Sequence, residues 1–227
     1  MTRDPDRLGR TTAEILLDTG SILFRPDRPF VFSSGWASPV FVDCKRLISF
    51  TVARDALLGL AIRRILGTVG YSSFDAIAGG EVAGVPFAAM IADRLHLPLI
   101  VVRKQARGLD PASQTEGALP PGGRVLLVED VTTDGRSKAV FCQALRRAGA
   151  SIDKAFVVFK YGIFDRVAGD LEGMGVRLFS LADWSDVLEV ARERKAFVPE
   201  ALAELERYLA DPVAWSAEHG GADRLGA

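Results

Sequence analysis

The chain alternates between short apolar runs and longer amphipathic stretches. Apolar runs at 76–79, 99–102, 124–128, 154–159 and 176–180 have the length of buried strands. Helical patterns occupy 85–95 and 136–148 between them, and two further helices are predicted at 184–194 and 199–209. Strands that alternate with helices predict a parallel sheet covered on both faces. The predicted fold class is therefore α/β.

The segment before these runs has a different pattern. Thr11-Thr12-Ala13-Glu14 has the form of a capping box, so a helix is expected to begin there and to end at Gly20. Residues 30–43 predict two short extended segments around Ser34-Gly35. Ser49 is expected to cap a long amphipathic helix that runs to Leu66 and is closed by Gly67.

The organisation predicted from these patterns is one domain over 1–210. An N-terminal element at about 10–45 is expected to pack on a core at about 46–195. Residues 211–227 are rich in Gly, Ala and charge, and are expected to form a loose C-terminal tail.

Composition narrows the class of protein. With 227 residues, 48% hydrophobic and 25% charged, the chain resembles an ordinary soluble globular protein. Its net charge of −1 gives no overall field that recruits nucleic acid or anionic membrane. No apolar run approaches the ~20 residues of a membrane helix, and residues 1–10 are too polar for a signal peptide. Cys44 and Cys142 match no metal spacing. We therefore expect a cytoplasmic protein with no nucleic-acid or membrane partner.

The most informative stretch is Val125–Lys138, with the sequence VLLVEDVTTDGRSK. Glu129 and Asp130 come where a buried strand is expected to end, and a Thr/Gly/Ser loop then leads into a helix. Carboxylates accept hydrogen bonds from a sugar diol, whereas loop amides and a helix N-terminus suit a phosphate. The alternative is that Asp130 only caps the helix. By itself the stretch indicates a site for something that carries ribose phosphate.

Two other segments have a phosphate-binding character. Ala78–Pro86 ends a strand with three glycines, which either let amides approach a phosphate closely or serve only a tight turn. Arg103, Lys104 and Arg107 begin a polar interval, 104–123, that has no regular period. Such cations either close over a pyrophosphate or form an ordinary solvated loop.

These motifs, taken in order, resemble the type I phosphoribosyltransferases. The Val125–Lys138 stretch is similar to the family's motif for phosphoribosyl diphosphate (PRPP), and 79–86 is similar to its pyrophosphate loop. The Ser-Gly-x-x-Ser-Pro element at 34–39 resembles the base-recognition segment of the orotate phosphoribosyltransferases. The resemblance covers roughly 10–185. It implies a type I phosphoribosyltransferase-like parallel sheet with flanking helices and a small N-terminal hood at about 10–45.

The resemblance also implies a reaction. The family transfers ribose 5-phosphate from PRPP to orotate, which gives orotidine 5′-monophosphate (OMP) and pyrophosphate in de novo pyrimidine (UMP) biosynthesis. A phosphoribosyltransferase for another base is an open alternative. A PRPP-sensing regulator is a third, but the chain before the core is too short for a winged helix.

The same resemblance assigns residues to roles. The acids Glu129 and Asp130 are expected to bind the ribose diol, and the loop after them the 5′-phosphate. In full, the residues expected to bind PRPP are Glu129, Asp130, Thr132, Thr133, Asp134, Gly135, Arg136, Ser137, Arg103, Lys104 and Arg107. Those expected to act in catalysis are Arg107, Lys104, Arg103 and Asp130. The expected pyrophosphate loop is Glu81, Val82, Ala83 and Gly84, and the expected orotate-binding residues are Phe41, Thr133 and Lys160.

Several positions depart from the family pattern. Arg107 stands where the family has a loop lysine, and arginine is not equivalent to lysine. Leu109 stands in a region where many members carry a histidine. Ser33 replaces a lysine that contacts PRPP in some members. Asp134 would repel a bound phosphate, so its side chain is expected to point outward. Lys160 is either the partner of the orotate carboxylate or a surface lysine.

The expected cofactor is Mg²⁺, held by pyrophosphate oxygens, ribose hydroxyls and water rather than by protein ligands. The family acts as a homodimer in which the basic loop reaches the neighbouring subunit's site, so a homodimer is expected here. Neither His96 nor His219 belongs to a recognisable acid–base pair, which argues against histidine catalysis.

Overall fold

The computed structural model describes residues 6–32, 34–106, 111–119, 121–133, 135–163 and 171–223. The helices are α1 (Asp6–Asp18), α2 (Thr51–Thr68), α3 (Gly84–Leu95), α4 (Arg136–Arg147), α5 (Trp184–Arg194), α6 (Pro199–Ala210) and α7 (Pro212–Glu218). The strands are β1 (Ile22–Phe24), β2 (Phe30–Val31), β3 (Ala37–Ser38), β4 (Val40–Val42), β5 (Ala76–Gly80), β6 (Leu99–Val102), β7 (Thr115–Glu116), β8 (Arg124–Thr132), β9 (Ser151–Lys160) and β10 (Arg177–Asp183). Short 3₁₀ helices span Cys44–Ser49, Tyr71–Ser73 and Pro111–Gln114.

The apolar runs of the sequence form a six-stranded sheet within the described residues. Its order is β10-β9-β8-β5-β6-β7. Strands β5, β6, β8, β9 and β10 are parallel, and the short β7 pairs antiparallel with β6. The chain passes from β5 to β6 and β7 on one side of β5 and then returns to β8 on its other side, so the strand order switches direction between β5 and β8. In open α/β sheets ligands bind outside the carboxyl ends of strands at such a point.

The central strands are apolar on both faces because helices cover both. Leu126 and Val128 of β8 pack into one buried cluster with Phe87 of α3. Val125 and Leu127, which alternate with them, pack into a second cluster with Phe141 of α4. The prediction of an α/β fold with a parallel sheet is confirmed.

The N-terminal hood consists of two short antiparallel pairs, β1 with β4 and β2 with β3. The predicted extended segments on either side of Ser34-Gly35 therefore exist. The predicted capping box was wrong, because α1 already begins at Asp6. The hydroxyl of Thr12 is inside the helix and donates to the carbonyl oxygen of Leu8 at 2.7 Å.

Two further boundaries differ from the prediction. Ser49 does not cap α2, because it ends a 3₁₀ helix and Phe50 occupies the cap position without a side-chain hydrogen bond. Gly67 does not end α2, which continues to Thr68. Cys44 and Cys142 are both buried and unbonded to each other, and none of the described helices is long and apolar enough to span a bilayer.

The expectation of a loose C-terminal tail was wrong for residues 211–223. Trp215 of α7 is 1% exposed and stacks on His219, with ring centroids 3.7 Å apart. The hydroxyl oxygen of Ser216 accepts a hydrogen bond from the backbone N–H of Ala37 at 3.0 Å. The backbone N–H of Ala222 donates to the carbonyl oxygen of Gly35 at 2.8 Å. This C-terminal segment therefore packs against the β2–β3 hairpin of the hood.

Candidate functional site

A cleft of about 690 Å³ opens at the carboxyl ends of β5 and β8, between the sheet and the hood. It brings together residues from every motif singled out in the sequence. The predicted residues that line it are Phe41, Glu81, Val82, Ala83, Lys104, Glu129, Asp130, Thr133, Arg136 and Ser137. Segments from Val31 to Tyr161 therefore meet in one concave site.

Two adjacent buried carboxylates form the floor of the cleft. Strand β8 extends beyond the predicted end, so Glu129 and Asp130 lie within it and are only 5% and 6% exposed. Lys138 of α4 is equally buried, and its Nζ lies 3.2 Å from Oε2 of Glu129. The same ammonium donates to the carbonyl oxygen of Val131 at 2.5 Å and contacts Oγ of Ser137 at 3.2 Å. A buried ion pair thus joins the strand tip to the first turn of α4.

The two acids face different surroundings, as expected for consecutive residues of a strand. Glu129 lies against Gly80, Gly84 and the α4 side of the sheet. Asp130 lies toward the hood, where its charge interacts with Lys45 and with the buried thiol of Cys44. Both acids reach the cleft because they stand at the end of the strand.

Burial controls the protonation of these acids. Desolvation raises the pKa of Glu129 to about 7, although the neighbouring Lys138 opposes the rise. Burial also raises the pKa of Asp130, and the charge of Lys138 again opposes it. Oε1 of Glu129 makes no hydrogen bond of normal geometry within the described part of the chain. A buried carboxylate oxygen without a partner at a cleft is suited to accept a ligand hydroxyl.

The glycines of the Ala78–Pro86 segment are explained by packing. None of the three has a positive φ among the described residues, so a special turn conformation does not require them. A Cβ at Gly84 would overlap Oε1 of Glu129, and one at Gly80 would lie 2.5 Å from the same oxygen. A Cβ at Gly79 would lie 2.7 Å from the Cβ of Ala88 in α3. Two of the three glycines therefore make room for the buried acid.

The turn after β5 is tied to the start of the basic loop. Oε1 of Glu81 accepts a hydrogen bond from the backbone N–H of Lys104 at 3.1 Å, and its Oε2 lies 3.5 Å from Arg103. Nε of Arg103 also donates to Glu116 at 3.0 Å. Lys104 lines the cleft, whereas Arg103 is held between these two acids and does not. Arg107 lies outside the described residues, so its catalytic role stays a prediction.

The loop after β8 leads into α4 through Gly135, whose φ of 76° is in the left-handed region that favours glycine. Thr133, Arg136 and Ser137 line the cleft on this side. Thr132 is 3% exposed and is not part of the lining, although its carbonyl oxygen accepts from the N–H of Tyr161 at 2.9 Å. The predicted outward direction of Asp134 concerns a residue outside those described, as do the departures at Ser33 and Leu109.

The hood supplies the aromatic side of the cleft. Phe41 lines it and packs against Phe30, with ring centroids 5.5 Å apart. Tyr161, which the sequence interpretation did not select, also lines the cleft, and its Oη accepts from the N–H of Val42 at 3.0 Å. Tyr161 directly follows β9, so its place at the carboxyl end of a parallel strand was the available signal.

Lys160 is not brought into this cleft. It lines a neighbouring recess with Tyr161, Asp183 and Trp184, whereas Tyr161 borders both this recess and the cleft. Lys45 and Lys138 line the cleft but were not predicted. Lys45 comes four residues after Phe41, and Lys138 ends the Val125–Lys138 stretch in the first turn of α4. Both residues therefore lie close to segments from which site residues were predicted.

Comparison with known proteins agrees with this geometry. Residues 55–170 match the model of the phosphoribosyl transferase domain. An orotate phosphoribosyltransferase of Sinorhizobium medicae is 44% identical over 218 residues, which cover 96% of this chain and 94% of the relative. The chain belongs to the orotate phosphoribosyltransferase family.

Solved structures support the same assignment. The crystal structure of orotate phosphoribosyltransferase from Aeropyrum pernix superposes with a TM-score of 0.67 at 34% identity, covering 78% of this chain and 97% of that one. The structure of Leishmania donovani UMP synthase gives a TM-score of 0.74 at 24% identity, covering 89% of this chain and 42% of that one. The latter likeness shows the fold alone. The predicted resemblance to orotate phosphoribosyltransferases is confirmed.

The packing of Glu129 under the glycine turn predicts the effect of adding one methyl group. Gly84→Ala is expected to lower the free energy of unfolding by about 1–3 kcal/mol, because the new Cβ would displace a buried, ion-paired carboxylate. Urea unfolding measures this change. The matched control is Gly67→Ala in α2, where a Cβ would meet nothing within 4 Å and stability should rise by about 0.5–1 kcal/mol. A Gly84→Ala variant as stable as the parent would contradict this packing.

The raised pKa of Glu129 predicts a pH dependence of stability. Between its ordinary value of 4.5 and about 7, the folded chain holds a proton that the unfolded chain has released, so the free energy of unfolding falls as pH rises. Glu129→Gln should remove this decrease in the free energy of unfolding with pH. Glu200→Gln, at an exposed site, should keep it. Unfolding at several pH values measures both. An unchanged slope in Glu129→Gln would show that Glu129 titrates normally.

Proposed function

We propose that the chain catalyses the reaction after which its family is named. It transfers ribose 5-phosphate from PRPP to N1 of orotate, and the products are OMP and pyrophosphate, a step of de novo pyrimidine biosynthesis. The observation that carries this proposal is the shared cleft. In it the buried acids of β8 face the aromatic hood that contains Phe41, as a donor site beside a base site requires.

The ribose 5-phosphate part of PRPP binds at the end of β8. Asp130 and Glu129 accept hydrogen bonds from the ribose hydroxyls, and the loop from Thr132 to Ser137 binds the 5′-phosphate. This assignment is supported by the unpaired oxygen of Glu129 and by the position of the loop at the N-terminus of α4. Backbone N–H groups at that terminus carry a partial positive charge suited to phosphate.

The pyrophosphate leaves on the other side of the cleft. The bond from C1 of ribose to the pyrophosphate oxygen breaks, and its electron pair departs with the pyrophosphate. N1 of orotate supplies the pair for the new bond and gives up its proton to the departing pyrophosphate. The ribose passes through an oxocarbenium-like state, so no protein nucleophile is required. The turn Glu81–Gly84 contacts the pyrophosphate, and Lys104, Arg103 and Arg107 offset the charge that grows on it.

The start of the basic loop can exchange one set of ionic partners for another. In the structure the guanidinium of Arg103 is bound to Glu81 and Glu116. Arrival of a pyrophosphate would offer stronger anionic acceptors, and the loop from 104 to 117 would then close and exclude water. This closure protects PRPP from hydrolysis.

Mg²⁺ is the cofactor that fits the site. The described residues contain no cluster of three or more His, Cys, Asp or Glu side chains that could hold a metal, but Glu129 and Asp130 present hard oxygen atoms in the cleft. Mg²⁺ prefers oxygen ligands and retains several waters, so it would enter with PRPP, held by pyrophosphate oxygens, ribose hydroxyls and water beside the acids that accept from the ribose. When bound, it neutralises part of the pyrophosphate charge.

The orotate ring binds between the hood and the phosphate loop. Phe41 provides an aromatic contact to the base, and Thr133 a hydroxyl at the opposite wall of the cleft. By analogy with its family, the chain acts as a cytoplasmic homodimer in which the basic loop of one subunit reaches its neighbour's cleft. A phosphoribosyltransferase specific for another base is the remaining candidate.

The assay that tests this proposal follows the absorbance of orotate in the presence of PRPP and Mg²⁺. Consumption of orotate is expected, and Asp130→Asn should reduce kcat/KM for PRPP by about 10- to 100-fold, the cost of losing a charged hydrogen-bond acceptor. Asp55→Asn, at a side chain that is 75% exposed, is the matched control and should behave as the parent.

Two results would contradict the proposal in different ways. Turnover of a purine base without turnover of orotate would establish the alternative substrate class. Orotate turnover that is unchanged in Asp130→Asn would leave the reaction intact and remove the ribose assignment.

A further inference from the structure

The cleft must neutralise an anionic base as well as an anionic donor. Orotate carries a carboxylate at C6, and the proposed site already contains Glu129 and Asp130. Bringing a third carboxylate to within several ångströms of two others is unfavourable unless a cation lies between them. The described cations that line the cleft are Lys45, Lys104, Arg136 and Lys138.

Three of these cations belong to other elements than the hood. Lys138 is buried and paired with Glu129. The backbone of Lys104 is bound to Glu81 in the pyrophosphate turn. Arg136 is the first residue of α4, on the side of the phosphate loop.

Lys45 is different, because it lies on the hood. It follows β4 in the 3₁₀ helix Cys44–Ser49, and its Nζ is 5.7 Å from the ring centroid of Phe41. The aromatic contact expected for the base and a positive charge are therefore side by side.

We propose that Lys45 binds the C6 carboxylate of orotate and so determines specificity for this base. The inference rests on the proposed function and assigns one residue within it. A base that contacts Phe41 would have its ring edge within reach of the ammonium group, since both side chains line the cleft and the ammonium lies 5.7 Å from the centroid of the Phe41 ring.

The surroundings of Lys45 leave its charge available. Its Nζ lies 3.9 Å from Oδ1 of Asp43, which is at the outer limit of an ion pair rather than at hydrogen-bond distance. The side chain is 55% exposed, so a ligand carboxylate can approach without breaking a buried contact.

Lys45 also lies close enough to Asp130 for their charges to interact. This position fits the geometry of the product, in which the base is joined directly to the ribose. The ammonium group would then face the ligand carboxylate while it offsets the charge of the acid that binds the ribose hydroxyls. Lys160 lies outside this arrangement, because it lines the recess with Asp183 and Trp184.

The test compares two nucleotides that differ only in the C6 carboxylate. OMP carries it and UMP lacks it, so the ratio of their dissociation constants isolates the contact with that group. In calorimetric titrations of the full chain, Lys45→Met should raise the dissociation constant of OMP by about tenfold or more, which is the usual loss of a charge-assisted contact. The affinity for UMP should change by less than about twofold, because rim side chains that lose no partner contribute little.

Two further variants make the result specific. Lys45→Arg keeps the positive charge and should retain most of the preference for OMP. Lys160→Met is the matched control for the other candidate cation and should leave both affinities unchanged. Because the side chain of Lys45 is exposed, its substitutions are not expected to disturb folding, and a thermal unfolding scan of every variant, Lys160→Met included, checks this.

The outcomes separate this inference from the proposed function. If Lys45→Met weakened the binding of OMP and UMP equally, Lys45 would contact the ribose phosphate. If it weakened the binding of neither, Lys45 would be only a solvated side chain. A loss of OMP preference in Lys160→Met alone would transfer the role to that residue. Each of these overturns the assignment while orotate turnover by the parent chain continues. Absence of orotate turnover in the parent would contradict the proposed function itself.

Discussion

The buried ion pair between Glu129 and Lys138 is the interaction on which the site depends. A carboxylate that is 5% exposed is costly to bury unless a cation and hydrogen-bond donors compensate for the lost water. Lys138 compensates for it from the first turn of α4, and this fixes the helix N-terminus beside the end of β8. The same carboxylate requires space above it, which Gly80 and Gly84 provide. One buried ion pair thus fixes the acid, the turn after β5 and the loop before α4 relative to one another.

The hood completes the cleft from the opposite side, and it is held by parts of the chain distant in sequence. The backbone of Val42 is hydrogen-bonded to Tyr161, which follows β9. Gly35 and Ala37 are hydrogen-bonded to the C-terminal segment around α7. Trp36 is 1% exposed against Ile163 and Val213. A hairpin this short would be only marginally stable alone. The wall of the cleft that the hood forms is therefore a tertiary structure to which both ends of the chain contribute.

Much of the fold and part of the site could be predicted from the sequence. The helix Trp184–Arg194 was predicted at its observed limits and the five parallel strands of the sheet within a few residues, because apolar periodicity reflects burial directly. The short antiparallel β7 was not predicted. The structure brings residues of the motif loops, such as Thr133 and Ala83, into one cleft. Lys160 lies in a neighbouring recess instead, since a shift of one position at a strand end reverses the face. Trp215 was missed because its partners lie far away in sequence, and nothing local in a Gly- and Ala-rich segment marks a packed helix.

The central claim is that one cleft holds both the ribose phosphate and the base, and competition between OMP and PRPP tests it most directly. Calorimetric titration of PRPP with Mg²⁺ at increasing OMP, without pyrophosphate so that no reaction occurs, measures the apparent Kd for PRPP. If the ribose phosphate of both ligands occupies the same acids and loop, this Kd should rise in proportion to the OMP concentration without levelling off. A Kd that stays constant, or that rises to a plateau, would mean that the two ligands bind together, and it would contradict the account.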